Sequence, residues 1–97
     1  MAERHQLFIP DKAKKDPKSF EFLRVWSAKD GQHISVLVSA FDDPVHWGIM
    51  LADLARHVAN AYQDQGRDRT KTLQRIKAGF YAEFESPTDD PMTRRAG

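Results

Sequence analysis

Asp53 and His57 stand four residues apart, a spacing that puts both side chains on one face of a helix. There they could supply two ligands to a metal ion, or form a carboxylate-oriented imidazole. A stable metal site needs more donors than this. His46 shares the face, but it lies about 16 Å from His57 at 1.5 Å rise per residue, so no single ion takes both. The plain alternative is an exposed helical pair contributing a few tenths of a kcal/mol. The chain has no cysteine, which removes disulfides, thiolate metal sites and cysteine nucleophiles together. It has no Gly-x-Ser-x-Gly elbow and no serine followed by an evident base, and its five glycines form no phosphate-cradling loop. Two carboxylate pairs remain. Asp42-Asp43 precedes a proline, where a helix cap is required, and Asp89-Asp90 lies in a polar tail that could not hold catalytic geometry. These residues predict no enzyme, no cofactor and no metal site.

One charge feature opposes its local structure. Arg67, Arg69, Lys71, Arg75 and Lys77 cluster at the expected start of a helix, offset nearby only by Asp68. Cations near a helix N-terminus oppose its dipole by about 0.3–1 kcal/mol each when exposed. Such a conflict points to an acidic partner, either a phosphate backbone or a carboxylate-rich protein surface, with Arg67, Arg69, Lys71 and Arg75 as the contact. The competing account is a solvated face balanced by Asp64 and Glu83.

The elements that position these groups follow from hydrophobic period and breakers. The runs from Phe20 to Ala28 and from Gln32 to Ser39 alternate like strands and flank Lys29-Asp30-Gly31, a hairpin signal. A two-residue Asp30-Gly31 turn pairs Ala28 with His33, Ser27 with Ile34, Val25 with Val36 and Leu23 with Val38. One face then carries Leu23, Val25, Ile34, Val36 and Val38. The other carries Phe22, Trp26 and Leu37 and is too apolar for full solvation, so these three are the candidate interface. Asp43 and Pro44 open a helix expected to run to about Gln65 and stop at Gly66. Its large stripe of Trp47, Leu51, Leu54 and Val58 suits a sheet. A second stripe of Gly48, Ala52, Ala55 and Ala59 permits close approach of another helix. A second helix should begin near Asp68 or Thr70 and end before Pro87, with Leu73, Ile76, Phe80 and Phe84 inward.

The fold class is therefore α+β: a β-hairpin followed by two helices (ββαα), with the helices packed on one sheet face. Residues 1–19 read as a flexible arm, 20–86 as a single α+β domain and 87–97 as a disordered tail. Two strands about 4.8 Å apart are too narrow for two helices whose axes lie about 8–10 Å apart. The sheet must be completed by dimerisation or by a short N-terminal strand at Leu7-Phe8-Ile9. A core this small supplies only about 3–5 kcal/mol without further support, which also favours a homodimer. No apolar run reaches the length of a membrane span and the first residues are polar, so a cytoplasmic location is expected. A net charge of +1 makes nucleic acid a minor candidate and a membrane partner none.

The strings Leu23-Arg24-Val25-Trp26, Phe41-Asp42-Asp43-Pro44, Trp47-Gly48, the run from Leu51 to Tyr62, and Ser86-Pro87-Thr88-Asp89 make the chain similar to a small proteobacterial domain-of-unknown-function family, DUF5076. The likeness spans nearly the whole chain in one order. It implies a stand-alone, cytoplasmic bacterial protein, and it carries no activity, substrate, cofactor or site residue with it. The expected function is a homodimeric protein-interaction or accessory module with an unknown protein partner. The alternative is a weak binder of nucleic acid or acidic surfaces through the start of the second helix.

Overall fold

The computed structural model describes residues 6–88 and 92–96. A single helical turn, α1 (Asp11–Lys15), precedes the hairpin of β1 (Leu23–Ala28) and β2 (Gly31–Leu37). A 3-10 turn (Val38–Ala40) leads to α2 (Val45–Asp64) and α3 (Arg69–Glu85), and the chain returns as β3 (Met92–Ala96). The α+β, hairpin-then-two-helices order is the one expected from the sequence.

The hairpin register differs from the expected one by two residues. Ala28 pairs with Gly31, Trp26 with His33, Val25 with Ile34 and Leu23 with Val36, so the loop residues are Lys29 and Asp30. A tight turn centred on Asp30-Gly31 needs positive φ at both residues. Gly31 adopts φ 129°, but among the described residues no non-glycine residue has positive φ. Asp30 instead bends back to His33, whose Nε2 lies 2.8 Å from its carboxylate. A slip of two preserves the faces, where a slip of one would exchange them. Leu23, Val25, Ile34 and Val36 therefore still share one side, while Val38 leaves it to begin the 3-10 turn.

The third strand comes from neither expected source within the chain. Leu7-Phe8-Ile9 forms no strand and is exposed. Met92–Ala96, placed by the sequence in a disordered tail, runs parallel to β2 from the His33–Met92 pair to Leu37–Ala96. The gain is the pairing of β2's second edge, whose amide and carbonyl groups otherwise face solvent. The strand order is β1-β2-β3.

Both long helices are capped by their local sequence. Asp43 accepts the Val45 N–H at 2.9 Å, and Asp68 accepts the Lys71 N–H at 2.8 Å. Gly66, at φ 90°, ends α2: its N–H reaches the Gln63 carbonyl at 2.9 Å, and the Arg67 N–H reaches that of Tyr62 at 3.1 Å. This paired closure is the Schellman motif.

Packing is tightest where α2 and α3 meet. Ala59 is fully buried and Thr72 is 7 % exposed, so the small stripe does admit the second helix near their connection. Toward the other end the two helices leave Gly48, Ala52, Phe80 and Phe84 exposed. A Cβ added at Gly48 would meet nothing within 4 Å, so the close approach this stripe permits is not used there. The sheet likewise leaves the large stripe of α2 uncovered beyond Trp47. Leu51, Leu54 and Val58 remain 41 %, 45 % and 38 % exposed.

Candidate interaction surface

Sheet and helices meet at an aromatic elbow. Phe41 ends the 3-10 turn, and its ring lies 5.0 Å from Trp47 and 5.6 Å from Phe22, both edge-on. Phe22 and Trp47 stand 5.9 Å apart. Edge-to-face pairs at such distances contribute about 0.5–1.5 kcal/mol each beyond their buried area. They hold the first turn of α2 against the base of the hairpin. Phe22, one of the three candidate interface residues, thus packs within its own chain. Trp26 and Leu37 are half-buried on the same sheet side, and the Leu37 N–H extends the ladder to the Phe22 carbonyl at 2.9 Å.

The candidate metal pair is not assembled. The Asp53 carboxylate lies 3.5 Å from Arg56, one turn on, and His46 stacks on Phe41 with centroids 5.9 Å apart. Among the described residues no group of three or more His, Cys, Asp or Glu is placed to hold a metal ion. Asp43 acts as a cap, and the Asp89-Asp90 pair lies outside the described residues.

The four basic candidates separate. Arg69 is drawn off: its Nε donates to the Asn60 side-chain amide oxygen Oδ1 at 2.6 Å, tying α3 to α2. Arg67, Lys71 and Arg75, four residues apart along the chain, line one concavity of about 350 Å³ with Gly66, Asp68 and Thr72. The Arg67 guanidinium also sits over the Tyr62 ring, 5.1 Å from its centroid. Glu83, a possible counter-charge in the sequence, faces elsewhere. Its carboxylate accepts the Thr88 N–H at 2.9 Å and the Thr88 hydroxyl at 3.1 Å, turning the chain after α3. Nothing in the local sequence signals the Asn60–Arg69 bond, because the partners lie on different helices.

A further surface feature is apolar. The chain exposes 9118 Å², whereas a compact monomer of its mass exposes roughly 5,700 Å². Its radius of gyration is 15.5 Å, against about 12.5 Å for a compact chain of this length. Part of the difference belongs to the N-terminal arm. Among the described residues the helical pair also leaves Leu51, Leu54, Val58, Phe80 and Phe84 exposed.

The family model for the domain of unknown function DUF5076 matches residues 6–88. The chain is a DUF5076 protein. A solved structure from the photosynthetic bacterium Rhodopseudomonas palustrus CGA009, described provisionally as a pyruvate dehydrogenase, is 33 % identical to it. The match covers 100 % of both chains with a TM-score of 0.74. No curated protein matches. The strings that mark the family largely have structural work in this DUF5076 chain. Phe41 and Trp47 build the elbow, Asp43 caps α2, Ala55 and Ala59 lie on the side facing α3, and Thr88 closes onto Glu83. Among the described residues no helix is long and apolar enough to cross a membrane.

Proposed function

We propose that this DUF5076 protein is a non-catalytic, cytoplasmic, homodimeric module for protein interaction or accessory binding. The carrying observation is the uncovered stripe of Leu51, Leu54 and Val58 on a chain whose surface exceeds that of a compact monomer by roughly 3,400 Å². Uncovered apolar stripes of this kind mark association sites. An obligate dimer removes about 1,000–2,500 Å² per partner, less than the total excess, part of which belongs to the N-terminal arm. The sheet side bearing Trp26 and Leu37 is a second contact region within the same reading.

The dehydrogenase description of the Rhodopseudomonas protein does not favour catalysis here. Small-molecule and cofactor sites are concave and mostly apolar with a few placed polar atoms. The concavity at the start of α3, among the described residues, is instead lined mainly by charged side chains. Sedimentation at micromolar concentration tests the proposal, with twice the 11.1 kDa chain mass expected. The thermal midpoint should also rise with protein concentration by mass action. A folded monomer with a concentration-independent midpoint refutes it.

The shared concavity of Arg67, Lys71 and Arg75 supports a second reading, weak binding to nucleic acid or another acidic surface. Fluorescence anisotropy with a labelled oligonucleotide tests it. Binding should fall steeply with salt and weaken in Lys71→Ala, and salt-insensitive or absent binding rejects it.

A further inference from the structure

The residues of the uncovered α2 stripe repeat at a spacing that distinguishes what can cover them. Trp47, Leu51, Leu54 and Val58 follow one another by four, three and four, the 3.5-residue repeat of a helix–helix seam. The positions that flank the seam between Trp47 and Val58 are Gly48, Met50, Ala55 and His57, none of them Lys, Arg, Asp or Glu. The charged residues within that span, Asp53 and Arg56, lie off the seam, and Asp64 flanks it only beyond Val58. An exposed helix normally carries its charges at the seam flanks, where they meet water and steer partners. Here those flanks are small, apolar or aromatic.

The sheet of the same chain does not reach this stripe. The elbow of Phe22, Phe41 and Trp47 fixes the first turn of α2, and exposure begins immediately beyond it at Leu51. The short link from the 3-10 turn to α2 leaves the helix no slack to fold down without breaking that elbow. Three of the four apolar residues on the Leu23 side of the sheet are already half-buried, with Val25 the exposed one. The larger unmet demand is therefore on the helix.

We propose that the occupant is the same stripe on a second copy of this chain, α2 seated on α2 about a twofold axis. A twofold interface requires a patch complementary to itself, and one apolar seam with uncharged flanks meets that condition. The exposed Gly48 at its edge lets the two backbones approach closely. Two such helices side by side also bring the open ends of both helical pairs together, which covers Phe80 and Phe84 on each flank. This inference rests on the dimer reading and adds where the two chains meet.

Two measurements on the intact protein separate the possibilities. In the first, protein carrying ¹³C is mixed with unlabelled protein through a denatured state and refolded, and isotope-filtered NOEs are recorded alongside sedimentation. Intermolecular NOEs at the methyls of Leu51, Leu54 and Val58 are expected. A dimer whose intermolecular NOEs arise only from the sheet side, at Val25 or Trp26, overturns the seam and leaves the dimer standing. A monomer overturns both. In the second, the absence of cysteine from the chain allows single substitutions Leu51→Cys, Leu54→Cys and Val58→Cys to be oxidised without side reactions. At least one should convert to a covalent dimer at least tenfold faster than Ser27→Cys on β1. Faster cross-linking at Ser27 than at all three seam positions overturns the proposal.

Discussion

Replacing Asp68 by alanine removes the hydrogen bond from its carboxylate to the Lys71 N–H, 2.8 Å long, at the first turn of α3. Loss of an N-cap costs about 1 kcal/mol. The same substitution deletes the acidic charge that faces the helix dipole beside Arg69 and Lys71, adding about 0.3–1 kcal/mol at low salt. The total is about 1.5 kcal/mol, a large share of the roughly 3–5 kcal/mol a core of this size supplies. With a urea m-value of about 1–2 kcal/mol/M, the unfolding midpoint should fall by roughly 1 M. Asp68→Asn keeps a capping oxygen and loses only the charge, so it should cost about 0.5 kcal/mol and recover in high salt. An alanine variant with the wild-type midpoint refutes Asp68 as the cap. An asparagine variant as damaged as alanine would move the effect from the hydrogen bond to the charge.

Gly31→Val should destabilise the hairpin by more than about 1 kcal/mol, since a β-branched residue resists the positive φ of 129° at that position; an unchanged denaturation midpoint contradicts the observed turn. The His33 ring, bonded to Asp30, holds the Asp30 carboxyl below the ordinary aspartate range, with the Asp30 backbone amide and the imidazole charge acting in the same direction. Its small stabilisation is present above the unfolded-state pKa and is lost as the pH falls through the folded one. His33→Ala should raise the Asp30 midpoint in a carboxyl NMR titration, and a midpoint that stays low would place the cause elsewhere. Truncation before residue 89 removes β3 from the edge of β2 and should lower the thermal midpoint. Removal of residues 1–9, which contain no helix or strand among those described, should not. Equal effects from the two deletions would reject the pairing of β3 with β2.

The parts of the fold legible in the sequence are those decided within a few residues. Asp43-Pro44 and Asp68 announce the helix starts because a cap acts on amides two or three positions ahead. Gly66 announces the end of α2 because only glycine enters that backbone region without strain. The hairpin was legible as a hairpin but not in its register. The dipeptide Asp-Gly indicates that a turn is near, while the choice between two turns two residues apart depends on the bond between Asp30 and His33 and on which residue takes positive φ. The return of Met92–Ala96 was not legible at all. A short polar segment earns its strand from the edge it joins, and that edge lies more than fifty residues earlier in the chain.

The stripe of α2 marks the same boundary for function. Helical period identifies that Trp47, Leu51, Leu54 and Val58 share a side, and the size of these residues pointed to a sheet as cover. The structure divides the stripe at the elbow: Trp47 is held by Phe22 and Phe41, while the three residues beyond it are open. The small stripe divides in the opposite direction, with Ala59 buried and Gly48 free. The chain itself therefore covers each side of α2 at one end only: the elbow holds the large residues at the N-terminus, and α3 takes the small ones near the C-terminus. What neither reaches is the large side from Leu51 to Val58. That gap places a partner on α2 before the basic start of α3, where Asp68 already caps the helix and Asn60 already holds Arg69.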